Sequence, residues 1–310
     1  MSEIKLSELN RLADTPKSTV EAAEALYCAK IEETADAIVS DGRVRALLLA
    51  GPSGAGKTTT ANLLADAVRA RGHGSTVISL DDFYLDGEDP RYPRLADGSR
   101  NMECAEALDL AEIARTLSDI LAGRSFTVPK YDFKTAAPIG ENTYPAFTDG
   151  CVIIEGLHAL NPKIAGDLPR EALLRLFVSV STNLISDTGE RVLSGRKIRF
   201  LRRLVRDGLY RGADAVHTLR LWRRVLAGED AYLYPYRSLA DVSFDTFHTF
   251  EVGVMRPFAE AVMSEASLAD PYMQEVAAAL RCVSPMEEAF VPETSLIREF
   301  IPGGKYEHLY

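Results

Sequence analysis

Residues 45–58 read Arg-Ala-Leu-Leu-Leu-Ala-Gly51-Pro-Ser53-Gly54-Ala55-Gly56-Lys57-Thr58. A short apolar run closed by a glycine-rich turn is a buried strand, and the stretch that follows, 57–71, has a helical pattern. The turn satisfies GxxxxGK[ST] at every fixed position, and it sits between strand and helix, where such a loop works. Its glycines let backbone N–H groups point inward at phosphate oxygens. The helix behind it adds a partial positive charge. Lys57 is placed to reach β- and γ-phosphates, and the Thr58 hydroxyl suits Mg²⁺. The expected fold is therefore α/β, a P-loop nucleotide-binding fold with a parallel sheet flanked by helices.

Working outward, 75–80, 151–156, 174–180 and 241–246 read as further strands, and 105–122 as a helix. Strands separated by helices predict a parallel sheet covered on both faces. Residues 85–101 and 127–150 read as long surface loops. Residues 1–40 read as helical, with Thr15-Pro16 as a break and Asp41-Gly42 as a stop. The expected organisation is a helical N-terminal extension (1–42), a P-loop domain (43–270, with a basic segment at about 191–228) and a C-terminal helix and tail (271–310). The N-terminal helices pack on the domain or serve as a partner-binding arm. The tail at 295–304 docks on the domain or approaches the site.

Composition excludes several classes. Hydrophobic residues make up 46% and charged residues 26%, which is ordinary globular usage. No apolar run nears the roughly 18 residues of a membrane span. A net charge of −10, from 35 basic and 45 acidic residues, disfavours general nucleic-acid binding. The four cysteines are dispersed, with no CxxC pair, so neither zinc nor a disulfide framework is expected. With no signal-like start, a cytoplasmic location is expected.

Two strands end in acids: 75–80 runs into Asp81-Asp82-Phe83-Tyr84, and 151–156 ends in Glu155-Gly156. In a parallel sheet these emerge beside the P-loop. One such acid can hold Mg²⁺ and another can accept the proton of an attacking hydroxyl. Asp82, next to Asp81, points to the opposite face. Between Arg191 and Arg211 stand eight basic residues and one acid, Asp207. Arg199, Arg202, Arg203 and Arg206 share one side of a helix, opposite Leu201, Leu204, Val205 and Leu209. Guanidinium forks suit phosphate oxygens, so a phosphate-binding lid is the favoured reading over a solvated face or a nucleic-acid surface. Trp222 reads as core, and His158 as structural.

Taken in order, GPSGAGKTT, SLDDFYLD, NMECAEALDL, VPKYDF and VIIEGLHALNP resemble the uridine kinase and phosphoribulokinase-like family. The likeness spans about residues 44–304. It implies Asp81 as catalytic base, with Lys57, Arg206 and Arg211 in the catalytic set. It implies Gly51, Ser53, Gly54, Ala55, Gly56, Lys57, Thr58, Thr59 and Arg203 as ATP ligands, and Thr58 and Glu155 beside Mg²⁺. Asp81, Tyr84, Glu103, Tyr131 and Arg206 are implied for the acceptor, Tyr131 next to a nucleobase. Glu103 stands where the family has an Asp that grips ribose hydroxyls, and the His and Pro after it are missing. The histidine that follows YDF in uridine-cytidine kinases has no counterpart; Lys134-Thr135-Ala136 stands there. Ala213 replaces a usual arginine. The expectation is ATP- and Mg²⁺-dependent phosphorylation of a small-molecule hydroxyl, a nucleoside 5′-hydroxyl foremost. A sugar, sugar phosphate or vitamin-type alcohol is the alternative acceptor, and a slowly hydrolysing regulatory protein the alternative from another class. Neither nucleic acid nor membrane is an expected partner, and homo-oligomerisation stays open.

Overall fold

The computed structural model describes residues 2–166 and 168–309; Met1 and Tyr310, the outer limits of the expected terminal spans, lie outside the described residues. In chain order come β1 (Glu3–Lys5), α1 (Leu6–Leu12), α2 (Pro16–Ser40), β2 (Ala46–Ala50), α3 (Lys57–Ala70) and β3 (Gly74–Ser79). Then follow α4 (Leu110–Leu121), β4 (Phe126–Asp132), β5 (Ala137–Tyr144), β6 (Gly150–Glu155), α5 (Pro162–Ala165) and β7 (Leu173–Ser179). The remainder is β8 (Asn183–Ile185), β9 (Arg191–Leu193), α6 (Gly195–Tyr210), α7 (Ala215–Tyr232), β10 (Val242–Asp245), α8 (Glu251–Val262), α9 (Glu265–Leu268) and α10 (Pro271–Cys282).

The main sheet has the order β10-β7-β2-β6-β3, and every pair in it is parallel. β2 lies at its centre, buried at all positions. Successive side chains of a strand face opposite ways. Leu47 and Leu49 accordingly join one core with Ile153, Leu176 and residues of α2, α3, α6 and α8. Ala46, Leu48 and Ala50 join the other, with Ile154, Phe177 and residues of α4. Cys151 is a buried strand residue, as its place in an apolar run predicts. Trp222 is buried against Phe200, which bears out a core role.

Four expectations need correction. The stretch 127–150 is not a loop throughout: β4 and β5 form an antiparallel hairpin. β5 is exposed along most of its length, so burial imposes no alternation that the sequence could display. The helix expected from 105 starts at Leu110, because the Asp109 side chain accepts the Glu112 N–H at 3.0 Å and caps it there. The first residues are not wholly helical, since β1 pairs in parallel with β8. On α6, Leu209 is 40% exposed rather than buried with the other leucines, while Arg199 and Arg202 are fully buried.

Candidate functional site

The P-loop follows the central strand, so it opens at the carboxyl edge of the sheet, where crossovers leave a crevice. Gly54 and Gly56 adopt φ of 73° and 84°, a region costly for other residues. Close approach adds a second demand: a Cβ on Gly54 would lie 2.7 Å from the Arg199 carbonyl oxygen, and one on Gly56 2.5 Å from Leu296.

Two buried ion pairs brace the loop. Arg199 donates to Glu229 at 2.8 Å through each of its two terminal nitrogens and to the Ser53 carbonyl at 2.7 Å. Glu229 in turn accepts the Ser53 N–H at 2.9 Å. Arg202 donates to the Gly54 carbonyl at 3.1 Å, to the Thr246 carbonyl and to Glu251. Burial pushes the Glu251 carboxyl up to about 7, against the pull of Arg202. The two deepest arginines of α6 thus hold P-loop carbonyls and face away from any open lid.

A cleft of about 870 Å³ opens beside this loop, lined by Ser53, Gly54, Gly56, Lys57, Thr58, Asp81, Tyr84, Glu103, Tyr131, Glu155, Arg203, Arg206 and Arg211. Of the residues expected from sequence, Gly51, Ala55 and Thr59 do not line it. Gly51 packs against the Val178 carbonyl and Ala55 is fully buried. Thr59 is buried, with its hydroxyl donating to Glu299 at 2.9 Å.

Asp81 follows Ser79 at the end of β3, in a short 3₁₀ turn. It is exposed to the cleft but enclosed by its walls. That enclosure raises its carboxyl above the usual range, while Lys57 and Arg211 pull it down. Asp82 faces elsewhere and accepts the Tyr131 N–H at 3.3 Å. Glu155 ends β6 in register with Ser79, whose hydroxyl donates to it at 2.9 Å. Burial pushes Glu155 up to about 7; Lys57 opposes this, and Asp81 adds to it. Thr58 and Glu155 offer oxygen donors to the cleft, the kind a hard cation takes. Among the described residues no group of three or more His, Cys, Asp or Glu forms a metal cage.

In the wall of the same cleft Tyr84, Tyr131 and Phe133 form an aromatic trio, with ring centroids 5.1–5.6 Å apart. Tyr84 is fixed by donating its hydroxyl to the Met102 carbonyl at 2.9 Å. Glu103 lies beside them, pushed up to about 7 by burial, with Arg203 pulling it down and Glu229 and Asp81 adding to the rise. α7 approaches it closely only because residue 228 is glycine: a Cβ there would lie 2.7 Å from the Glu103 Cβ. His158 is buried, which agrees with a structural reading.

The arginines expected in a lid gather on one acid. Asp207 accepts from Arg203 at 3.1 Å and from Arg206 at 3.1 Å, and lies 3.7 Å from Arg211. Arg203 also donates to the Ser53 hydroxyl at 2.9 Å. Asp207, Phe133 and Lys134 are legible in the sequence without a site role: Arg203 and Arg211 stand four residues to either side of Asp207, the spacing of helical neighbours, and Phe133 closes the VPKYDF stretch that Lys134 follows. Glu229 and Glu299 carry no such local signal.

A sequence model described as the Phosphoribulokinase / Uridine kinase family matches residues 47–253, more than half of the chain. The chain belongs to the phosphoribulokinase/uridine kinase family. Among family relatives, a uridine kinase of Halobacterium salinarum is 29% identical over 169 residues, covering 54% of this chain and 65% of that protein. A uridine kinase of Schizosaccharomyces pombe is 29% identical over 182 residues, covering 59% of this chain and 36% of that one. An Arabidopsis thaliana protein named inorganic pyrophosphatase TTM2 is 32% identical over 166 residues, covering 54% of this chain and 21% of its own. The chain thus spans less than two thirds of each of these relatives. Among the described residues no helix is long and apolar enough to cross a membrane.

Proposed function

We propose that this family member transfers the γ-phosphoryl group of ATP to a hydroxyl of a small molecule, with Mg²⁺, and that the acceptor is a nucleoside such as uridine or cytidine. The observation that carries the reading is one continuous cleft that gathers Lys57, Asp81 and Arg211 with the aromatic trio and Glu103. P-loop amides, Lys57, Thr58 and Arg203 hold the triphosphate. Thr58 and Glu155 would hold Mg²⁺, which would supply charge to offset the phosphate oxygens. Asp81 orients the acceptor hydroxyl and accepts its proton as the new O–P bond forms and the bond to the departing ADP oxygen breaks. Arg206 and Arg211 offset charge on the transferring group, so positioning and electrostatics supply most of the acceleration. Tyr84 and Tyr131 offer flat apolar surface to a base, and Glu103 accepts hydrogen bonds from ribose hydroxyls.

One observation favours a second reading. Lys134, next in sequence to Phe133, lines the cleft, which suits an acceptor that already carries a phosphate, such as a sugar phosphate. A screen of nucleosides, sugars, sugar phosphates and vitamin-type alcohols, followed by ADP release, separates the two. Stimulation by uridine or cytidine supports the nucleoside reading; stimulation by a phosphorylated sugar alone replaces it. If no acceptor raises ADP release above basal hydrolysis, the kinase reading gives way to a regulatory nucleotide-binding protein.

A further inference from the structure

Residues 295–301 lie beyond residues 47–253, which the family's sequence model matches, and Leu296, Ile297, Phe300 and Ile301 are all fully buried. The turn starts at Ser295, whose hydroxyl donates to Glu24 of α2. Leu296 fills the space left by the missing side chain of Gly56. This packing delivers Glu299 to the start of α3 and the edge of the cleft. Its Oε2 accepts from the Thr59 hydroxyl at 2.9 Å and from the Thr59 N–H at 3.4 Å. Its Oε1 lies 3.9 Å from the Arg206 guanidinium. An amide in the first turn of a helix, a hydroxyl and a guanidinium are the groups that bind phosphate. Here a carboxylate of the same chain already engages all three.

We infer that Glu299 is a positioning residue of the nucleotide site, contributed by the tail, which limits how tightly the phosphates are held by competing for Arg206 and adding a negative charge beside them. The inference rests on the reading of the cleft as a nucleotide site. The charge is what matters. At an effective dielectric of about 20, a unit charge several ångströms from a phosphate is worth more than the factor of ten that 1.4 kcal/mol represents. Screening and the cleft's own cations reduce that, so the expected effect is roughly tenfold.

Titration calorimetry with ADP and Mg²⁺ tests this on the full chain. Glu299→Gln keeps the size and an acceptor for Thr59 but removes the charge, so it is expected to tighten ADP about tenfold. The gain should shrink as salt rises, because the lost term is electrostatic. Glu299→Asp keeps the charge and should bind ADP within about twofold of the parent protein. Unchanged or weaker binding by Glu299→Gln, in a variant that melts like the parent, overturns the inference and leaves Glu299 a packing residue. So does equal tightening by Glu299→Asp. Failure of the parent protein itself to bind ADP overturns the nucleotide-site reading, and this inference with it.

Discussion

At the scale of single residues, Asp81 and Asp82 are adjacent yet differ in surroundings. Asp81 meets the cleft with Lys57 and Arg211 near it, while Asp82 holds the backbone of Tyr131. Asp81→Asn keeps the shape and removes the base, so turnover should fall by about 10²–10⁴, with ADP affinity nearly unchanged by titration. Asp82→Asn retains an acceptor for Tyr131 and should cost turnover less than tenfold. The reverse pattern would move the base to Asp82. Glu103 gives a pH signature. Its carboxyl is raised to about 7 by burial, so it gains a proton as pH falls through 7. A protonated acid accepts fewer hydrogen bonds, so a Glu103 that grips acceptor hydroxyls, as proposed, loses hold as it protonates. The acceptor KM should therefore rise by up to about tenfold per pH unit below 7 and level off above it. The Glu103→Gln variant should show a flat profile at raised KM, measured by initial rates from pH 5.5 to 8.5.

At the scale of elements, α6 does two jobs along one length. Its first half braces the P-loop through Arg199 and Arg202, and its second half presents Arg203, Arg206 and Arg211 around Asp207. Arg211 is half exposed, whereas Arg206 is nearly buried. Arg211→Ala is therefore the clean test of the lid: kcat should fall at least tenfold, with ADP binding changed less than threefold and the melting temperature unaltered. Equal turnover in the variant and the parent would remove Arg211 from the reaction. Losing Glu229 instead leaves Arg199 buried without its counter-charge, which typically costs about 3–5 kcal/mol, and this appears as a loss of melting temperature. The same helix shows what a sequence reveals. Its amphipathic pattern and its excess of arginine were legible, as were the P-loop and the buried strands, because each rests on neighbours in sequence. That Arg199 and Arg202 face the P-loop was not legible. Their partners Glu229 and Glu251 stand 30 and 49 residues away, with no local pattern to link them. In the hairpin of β4 and β5, β4 buries Phe126 and Val128 in alternation, but β5 is exposed and carries no such pattern, so the pairing is not legible.

At the scale of the whole molecule, both ends of the chain converge on α3. From α2, Tyr27 is buried and shares a 2.6 Å hydrogen bond with Thr60; from the tail, Glu299 meets Thr59. The terminal segments expected as additions to a kinase domain therefore share its packing. Tyr27→Phe should cost about 1 kcal/mol, the usual net worth of one such bond. In a chain of this size that lowers the melting temperature by roughly 1–2 °C, readable by calorimetry; no shift would mean that α2 adds nothing through this contact. The position of Leu296 over Gly56 also sets an order in time. A ribosome makes the P-loop early and the residue that covers it much later. At about 5–20 residues per second, on the order of 10–50 s separate the two. During that interval the newborn nucleotide loop stands open on the tail side, without Glu299 and without its cover. The contact of Leu296 over Gly56 therefore closes last, only after nearly the whole chain has been made.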